Sequence, residues 1–228
     1  MTTSPSGGFD TAAISESDPT ALVIVAHPIA DSLTHAAAGA AVAGLRTAHH
    51  RVRVLDLYEI GFQAAMTPAE RRAYSTDAPV IDAMVAEHCR LLGRVRQLVF
   101  VYPTWWSGPP AILKGWLERV LVTGVAFCLD PDTKRVRPAM GQIEHIVGIS
   151  TYGSPRSYIA AINDNGRRIL TRSLRMVCGW RTATRWFGLY GVDTATEAER
   201  AAFLARIESG VARRRWERPK AAAGGVPT

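Results

Sequence analysis

A doubly wound parallel α/β sheet with helices on both faces, in one domain, is the fold class that this sequence predicts. Three observations predict it. Apolar segments of strand length alternate with segments of helical spacing five times along the chain. The first of them, "ALVIVA", is apolar throughout without alternation, as expected of a strand covered on both faces. The 228 residues contain no internal repeat and no interior linker, which suits one domain large enough to bury a core without staples.

The elements follow in order. Ala21 to Ala26 is the first strand, and the alanine-rich run Leu33 to His49, free of internal proline, is the first helix. "RVRVLDLY", Arg51 to Tyr58, alternates and predicts a second, less buried strand. In "TPAERRAY" a helical turn opens at Pro68, and Val80, Ile81, Met84, Val85, His88, Leu91 and Leu92 fall at helical intervals. A strand over Gln97 to Tyr102 leads through a loop into a helix from Pro110 to Leu121. Asp130 to Gln142 reads as polar and turn-rich, and "HIVGIST", His145 to Thr151, as another buried strand. Arg167 to Val177 predicts a helix stopped at Gly179, followed by a strand over Thr182 to Leu189 and a helix over Thr196 to Arg214. Residues 1–19 read as a disordered leader without the features of a signal peptide, 20–212 as the domain, and 213–228 as a basic flexible tail.

Charge narrows the function less than the loops do. The 27 Lys+Arg against 20 Asp+Glu give +7, which favours anionic ligands but does not name nucleic acid, and no nucleic-acid partner is expected. Seven arginines between Arg156 and Arg185 face one acid, Asp164; they suit a solvated helix face or a docking surface. The three cysteines, Cys89, Cys128 and Cys178, give neither a disulfide framework nor a metal spacing, so a reducing cytoplasm and no metal site are expected. No apolar run approaches membrane-spanning length, so membrane insertion is not expected either.

In doubly wound sheets, ligands bind beyond the carboxyl ends of the strands, which directs attention to three loops. "AHPIADSLTHA", Ala26 to Ala36, has no glycine-rich phosphate motif; a helix starting near Ser32 offers backbone N–H groups, with Thr34 and His27 in reach of the same anion. The other reading is plain N-capping by Asp31 or Ser32 with His27 packed. "YPTWWSGPP", Tyr102 to Pro110, pairs restricting prolines with the broad surfaces of Trp105 and Trp106, suited to a flat heterocycle, a hydrophobic plug or a subunit contact. "STYGSPRSY", Ser150 to Tyr158, supplies hydroxyls, a glycine and the Tyr158 phenol, or else an ordinary strand-to-helix connection.

Taken together, "PTWWSGPPAILKGWLERV", "AHPIADSLTHAA", "STYGSPRSY" and "CGW" (Cys178 to Trp180) resemble the NAD(P)H:quinone oxidoreductase family of DT-diaphorase type, from about Leu22 to Arg206. The resemblance implies a five-stranded flavodoxin-like fold and a bound flavin. His27, Ser32, Leu33 and Thr34 would hold its phosphate end. Pro103, Thr104, Trp105, Trp106, Ser107 and Gly108 would line one edge of the isoalloxazine, and Ser150, Thr151, Tyr152 and Gly153 the other. Tyr158 matches a tyrosine that assists hydride transfer and quinone protonation. Asp164 stands where mammalian members carry a histidine, Ser107 where an aromatic is common, and Tyr152 where a glycine is common. The short basic tail resembles the smaller bacterial type and implies FMN ahead of FAD, with NAD(P)H as donor, a quinone or similar flat acceptor, and a homodimer. Because relatives also sit on potassium-efflux antiporters, a flavin-bearing ancillary subunit is the alternative expectation.

Overall fold

The computed structural model describes residues 18–213 apart from 75, 77, 131 and 134. The expected leader and tail lie outside the described residues except at their inner ends. In chain order the elements are β1 (Ala21–Val25), α1 (Leu33–Thr47), β2 (Val52–Asp56), α2 (Pro68–Ala73), α3 (Ala83–Arg94), β3 (Gln97–Pro103), α4 (Ala111–Val120), β4 (Phe127–Leu129) and β5 (Val136–Pro138). There follow β6 (His145–Tyr152), α5 (Arg156–Ala161), α6 (Asn165–Arg168), a π-helical stretch (Ile169–Leu174), α7 (Arg175–Cys178), β7 (Ala183–Tyr190) and α8 (Glu197–Val211). Five strands form one parallel sheet in the order β2-β1-β3-β6-β7. Among the described residues no helix is long and apolar enough to cross a membrane.

Side-chain alternation along β1 divides the core. Ala21, Val23 and Val25 face α1 and α8, where Ala37, Ala38, Ala41, Leu45, Phe203 and Ile207 are buried against them. Leu22, Ile24 and Ala26 belong to the opposite layer, with Leu92 of α3 and Leu113 and Trp116 of α4. Each fully buried Val, Leu, Ile or Phe among them stabilises by roughly 1.5–3 kcal/mol. Helices α1 and α8 approach so closely that a Cβ on Gly44 would lie 2.3 Å from the Glu208 carbonyl oxygen. The alanine-rich face of α1 is therefore a requirement of packing as well as of helix propensity.

Four departures from the sequence expectations have local causes. The second strand is well buried, with only Arg53 half-exposed, because Val52 and Val54 pack into one core layer and Leu55 into the other, and Asp56 pairs inside the protein. The stretch expected as polar turns contains β5, antiparallel to β4; strands of three residues are too short to show alternation. Arg156–Ala161, expected as part of a connection or loop, is helical, with Pro155 preceding its first turn. The helix expected over Arg167–Val177 is three joined stretches with a π turn in the middle, ending at Gly179, whose φ of 102° suits glycine.

A buried ion pair braces the connection after β2. Arg119 of α4 donates to Glu70 Oε1 of α2 through Nε at 2.8 Å, and to the Gln63 carbonyl. Burial pushes the Glu70 carboxyl up, but the Thr67 N–H and Arg119 outweigh it and hold the group below its usual range.

Candidate functional site

The parallel register brings the carboxyl ends of β1, β3 and β6 to one edge of the sheet, with Tyr102 opposite Ser150 and Pro103 opposite Thr151. Three loops meet there. In the first, Ser32 has extended backbone and is the N-cap of α1, its Oγ accepting the His35 N–H at 3.3 Å. Asp31 is exposed and does not cap. Leu33 and Thr34 open the helix, so their N–H groups have no acceptor within it. His27 Nδ1 lies 3.1 Å from the Ile29 nitrogen and 3.2 Å from the Ile29 carbonyl oxygen, which turns Nε2 away from its own backbone; burial pushes the pKa of this imidazole below its ordinary value.

Behind the cap lies a pair that the sequence reading missed. His35 Nδ1 is 3.0 Å from Ser32 Oγ, and His35 Nε2 is 2.6 Å from Asp56 Oδ2, both residues being buried. Asp56 Oδ1 accepts the N–H groups of Tyr58 and Glu59. Two polar residues in otherwise apolar segments, one in the first turn of α1 and one at the end of β2, were the available signal. Nothing in their 21-residue separation pairs them; the packing of α1 against the end of β2 does.

The second loop is a tight hairpin. Trp105 and Gly108 exchange both backbone hydrogen bonds at 3.0 Å, and Trp106 and Ser107 between them have φ of 48° and 61°. Positive φ at both central positions is the type I′ turn that normally selects Asn-Gly. Holding it with Trp-Ser stores strain of order 1–3 kcal/mol per residue. The turn leaves the Trp106 side chain wholly exposed, and Trp105 lies with its ring centroid 6.0 Å from that of His27.

The third loop is tied to the second. Thr104 donates its N–H to the Thr151 carbonyl at 2.8 Å, and its hydroxyl is 2.8 Å from Ser150 Oγ. Ser150 and Thr151 are buried, while Gly153 is exposed. Tyr152 is turned inward: its ring stacks on Tyr190 at 4.5 Å and its hydroxyl donates to Asp164 at 3.0 and 3.2 Å. Any share it has in a pocket at this edge falls to its backbone. Burial first, then the Asp164 charge, pushes the Tyr152 phenol up, so it remains a donor. Asp164 also caps α6, and its carboxylate is thus engaged within the protein. Tyr158 is exposed on α5.

Seen as a donor set, the first loop offers two helix-start N–H groups and an imidazole, with the Ser32 hydroxyl shared with His35, which suit a phosphate. The other two offer aromatic surface and edge-on backbone groups, which suit a planar heterocycle. The residues present thus fit a flavin mononucleotide. Positive charge is concentrated elsewhere. A groove of about 570 Å³ along β7 is lined by Arg156, Arg167, Arg185 and Arg206. Arg185 donates to the Gly210 carbonyl, Arg206 to the Gly188 carbonyl, and Arg167 lies over the Trp186 ring. Among the described residues, no cluster of three or more His, Cys, Asp or Glu is arranged to hold a metal ion.

The chain is 32% identical over 122 residues to NAD(P)H dehydrogenase [quinone] 1 of Rattus norvegicus, a match covering 47% of this chain and 44% of that protein. It therefore spans about half the length of that relative. It is 25% identical over 205 residues to ribosyldihydronicotinamide dehydrogenase [quinone] of Mus musculus, covering 81% and 87% of the two chains. Among solved structures, an NAD(P)H:quinone oxidoreductase from Methanothermobacter marburgensis superposes with a TM-score of 0.71 at 26% identity, covering 85% of this chain and 94% of that one. A family model described as flavodoxin-like fold matches residues 19–211, and the chain belongs to that family.

Proposed function

We propose that this chain is a flavin-dependent oxidoreductase that passes a hydride from NAD(P)H to a quinone or similar flat acceptor in two half-reactions. The observation that carries this reading is the meeting of the three loops at one sheet edge, cross-tied through Thr104 to Ser150 and Thr151 and through Trp105 to His27. The relatives named for NAD(P)H and quinone support it. A bound flavin, with FMN first and FAD second, supplies a ring that takes and returns the hydride. The protein's share is orientation.

The N–H groups of Leu33 and Thr34, with Ser32 and His27 Nε2, hold the phosphate. Pro103 to Gly108 form one wall for the ring, with Trp105 and Trp106 as its apolar surface. Ser150, Thr151, the Tyr152 backbone and Gly153 form the other. Tyr158, exposed beside this edge, holds the proton that the acceptor takes up. A second copy of the chain closes the mouth over the exposed Trp106.

The test is purification, an absorption spectrum, identification of the released cofactor and steady-state kinetics with NAD(P)H and a quinone. A yellow protein carrying FMN or FAD, with parallel double-reciprocal lines, is expected. A colourless protein that takes up neither flavin contradicts the reading, and converging lines contradict the two-half-reaction order.

A further inference from the structure

The pair His35–Asp56 has no part in the hydride chemistry, yet it sits directly behind the hydroxyl assigned to the phosphate. Asp56 Oδ2, 2.6 Å from His35 Nε2, is a carboxylate oxygen and only accepts, so Nε2 carries a proton. On the other side of the ring, Nδ1 faces Ser32 Oγ at 3.0 Å, and that oxygen already accepts the His35 backbone N–H. A hydroxyl has one proton and two lone pairs. With the ring neutral, Nδ1 must accept, the Ser32 proton is committed to it, and only a lone pair faces outward. With the ring doubly protonated, Nδ1 donates, both lone pairs are filled, and the Ser32 proton is free to point out from the helix start. A phosphate dianion favours the second arrangement twice, because it needs a donor and is attracted to an imidazolium.

We infer that His35, held by Asp56, couples the binding of a phosphorylated flavin to the uptake of one proton, so that this corner selects the phosphate ester over the unphosphorylated ring. The inference rests on the flavin reading above. The proton comes from solvent and resides on His35 Nδ1; no bond to the flavin forms or breaks. Among the described residues, two ionisable groups face His35: Asp56 at the end of β2, in contact, and His27 in the loop after β1, its ring centroid 6.2 Å away. Asp31, one residue before the cap, is exposed. His27 is thus the competing site for the proton, and the experiment has to separate the two.

Protein stripped of cofactor is titrated with FMN and with riboflavin by flavin fluorescence at pH 7.0 and 8.5 and constant ionic strength, where the phosphate of FMN is essentially doubly charged. The FMN dissociation constant is expected to rise by up to about tenfold per pH unit while that of riboflavin stays level. His35→Gln should flatten the FMN dependence and cut the preference for FMN over riboflavin by about tenfold. An unchanged riboflavin constant shows that this variant is folded. His27→Gln should weaken FMN binding but keep the slope. A level FMN response in the unaltered protein, or a slope that survives His35→Gln, overturns the coupling and leaves the flavin reading standing. Binding of neither flavin overturns both.

Discussion

At the carboxyl ends of β1, β3 and β6 the polar groups are backbone N–H groups, hydroxyls and two histidines, cross-tied between loops and carrying little formal charge. Along β7, by contrast, arginines crowd an exposed groove, yet Arg206 and Arg185 donate to the protein's own Gly188 and Gly210 carbonyls, and Arg167 and Arg185 lie over its aromatic rings. An outer strand with open carbonyls is a template for pairing with another chain, and charged side chains folded over it are a recognised defence. The difference separates charge from function. Among the described residues, arginines crowded along β7 are largely engaged internally; where the chemistry is proposed, the donors are mostly neutral and, apart from the Ser32 hydroxyl, fixed in place before a ligand arrives.

Three changes break or sharpen this contrast, in falling order of effect. Ser32→Glu puts a carboxylate at the start of α1, where the phosphate is proposed to sit. Like-charge repulsion should weaken FMN binding by about 100-fold or more while riboflavin binding falls far less, as read by fluorescence titration. Equal losses for both would mean that the phosphate lies elsewhere.

Replacing Trp106–Ser107 by Asn-Gly gives the hairpin the residues its geometry prefers. This should stabilise the protein by about 2 kcal/mol, a rise in Tm of about 5 °C, while quinone turnover falls with the loss of the Trp106 surface. An unchanged Tm would show that the turn is not strained. Arg206→Ala uncovers the Gly188 carbonyl at the open edge. It should cost about 1 kcal/mol in denaturant unfolding and promote self-association, with flavin affinity within about twofold of the parent. A larger loss of flavin affinity would erase the distinction between mouth and edge.

Much of the sheet was legible because its central strands are buried on both faces. Ala21–Val25, Gln97–Pro103 and His145–Tyr152 each hold a run of apolar residues without alternation, whose assignment needs no partner. The β4–β5 hairpin was not legible, since its mostly exposed three-residue strands are defined only by pairing with each other. The three loops were found from strand ends and residue chemistry, but their internal geometry was hidden. Trp106 and Ser107 carry no cue for left-handed backbone, and Tyr152 turns inward because Asp164 and Tyr190 lie behind it. His35 and Asp56 leave no local pattern, because a contact made by packing a helix against a strand end is set by the tertiary fold.

The measurement that bears most directly on the account is a crystal structure of the protein with bound flavin. The account predicts the phosphate at Ser32 to Thr34 and the isoalloxazine between the Trp105 hairpin and Gly153. A flavin seated against the β7 arginines, with the three-loop edge vacant, would contradict it.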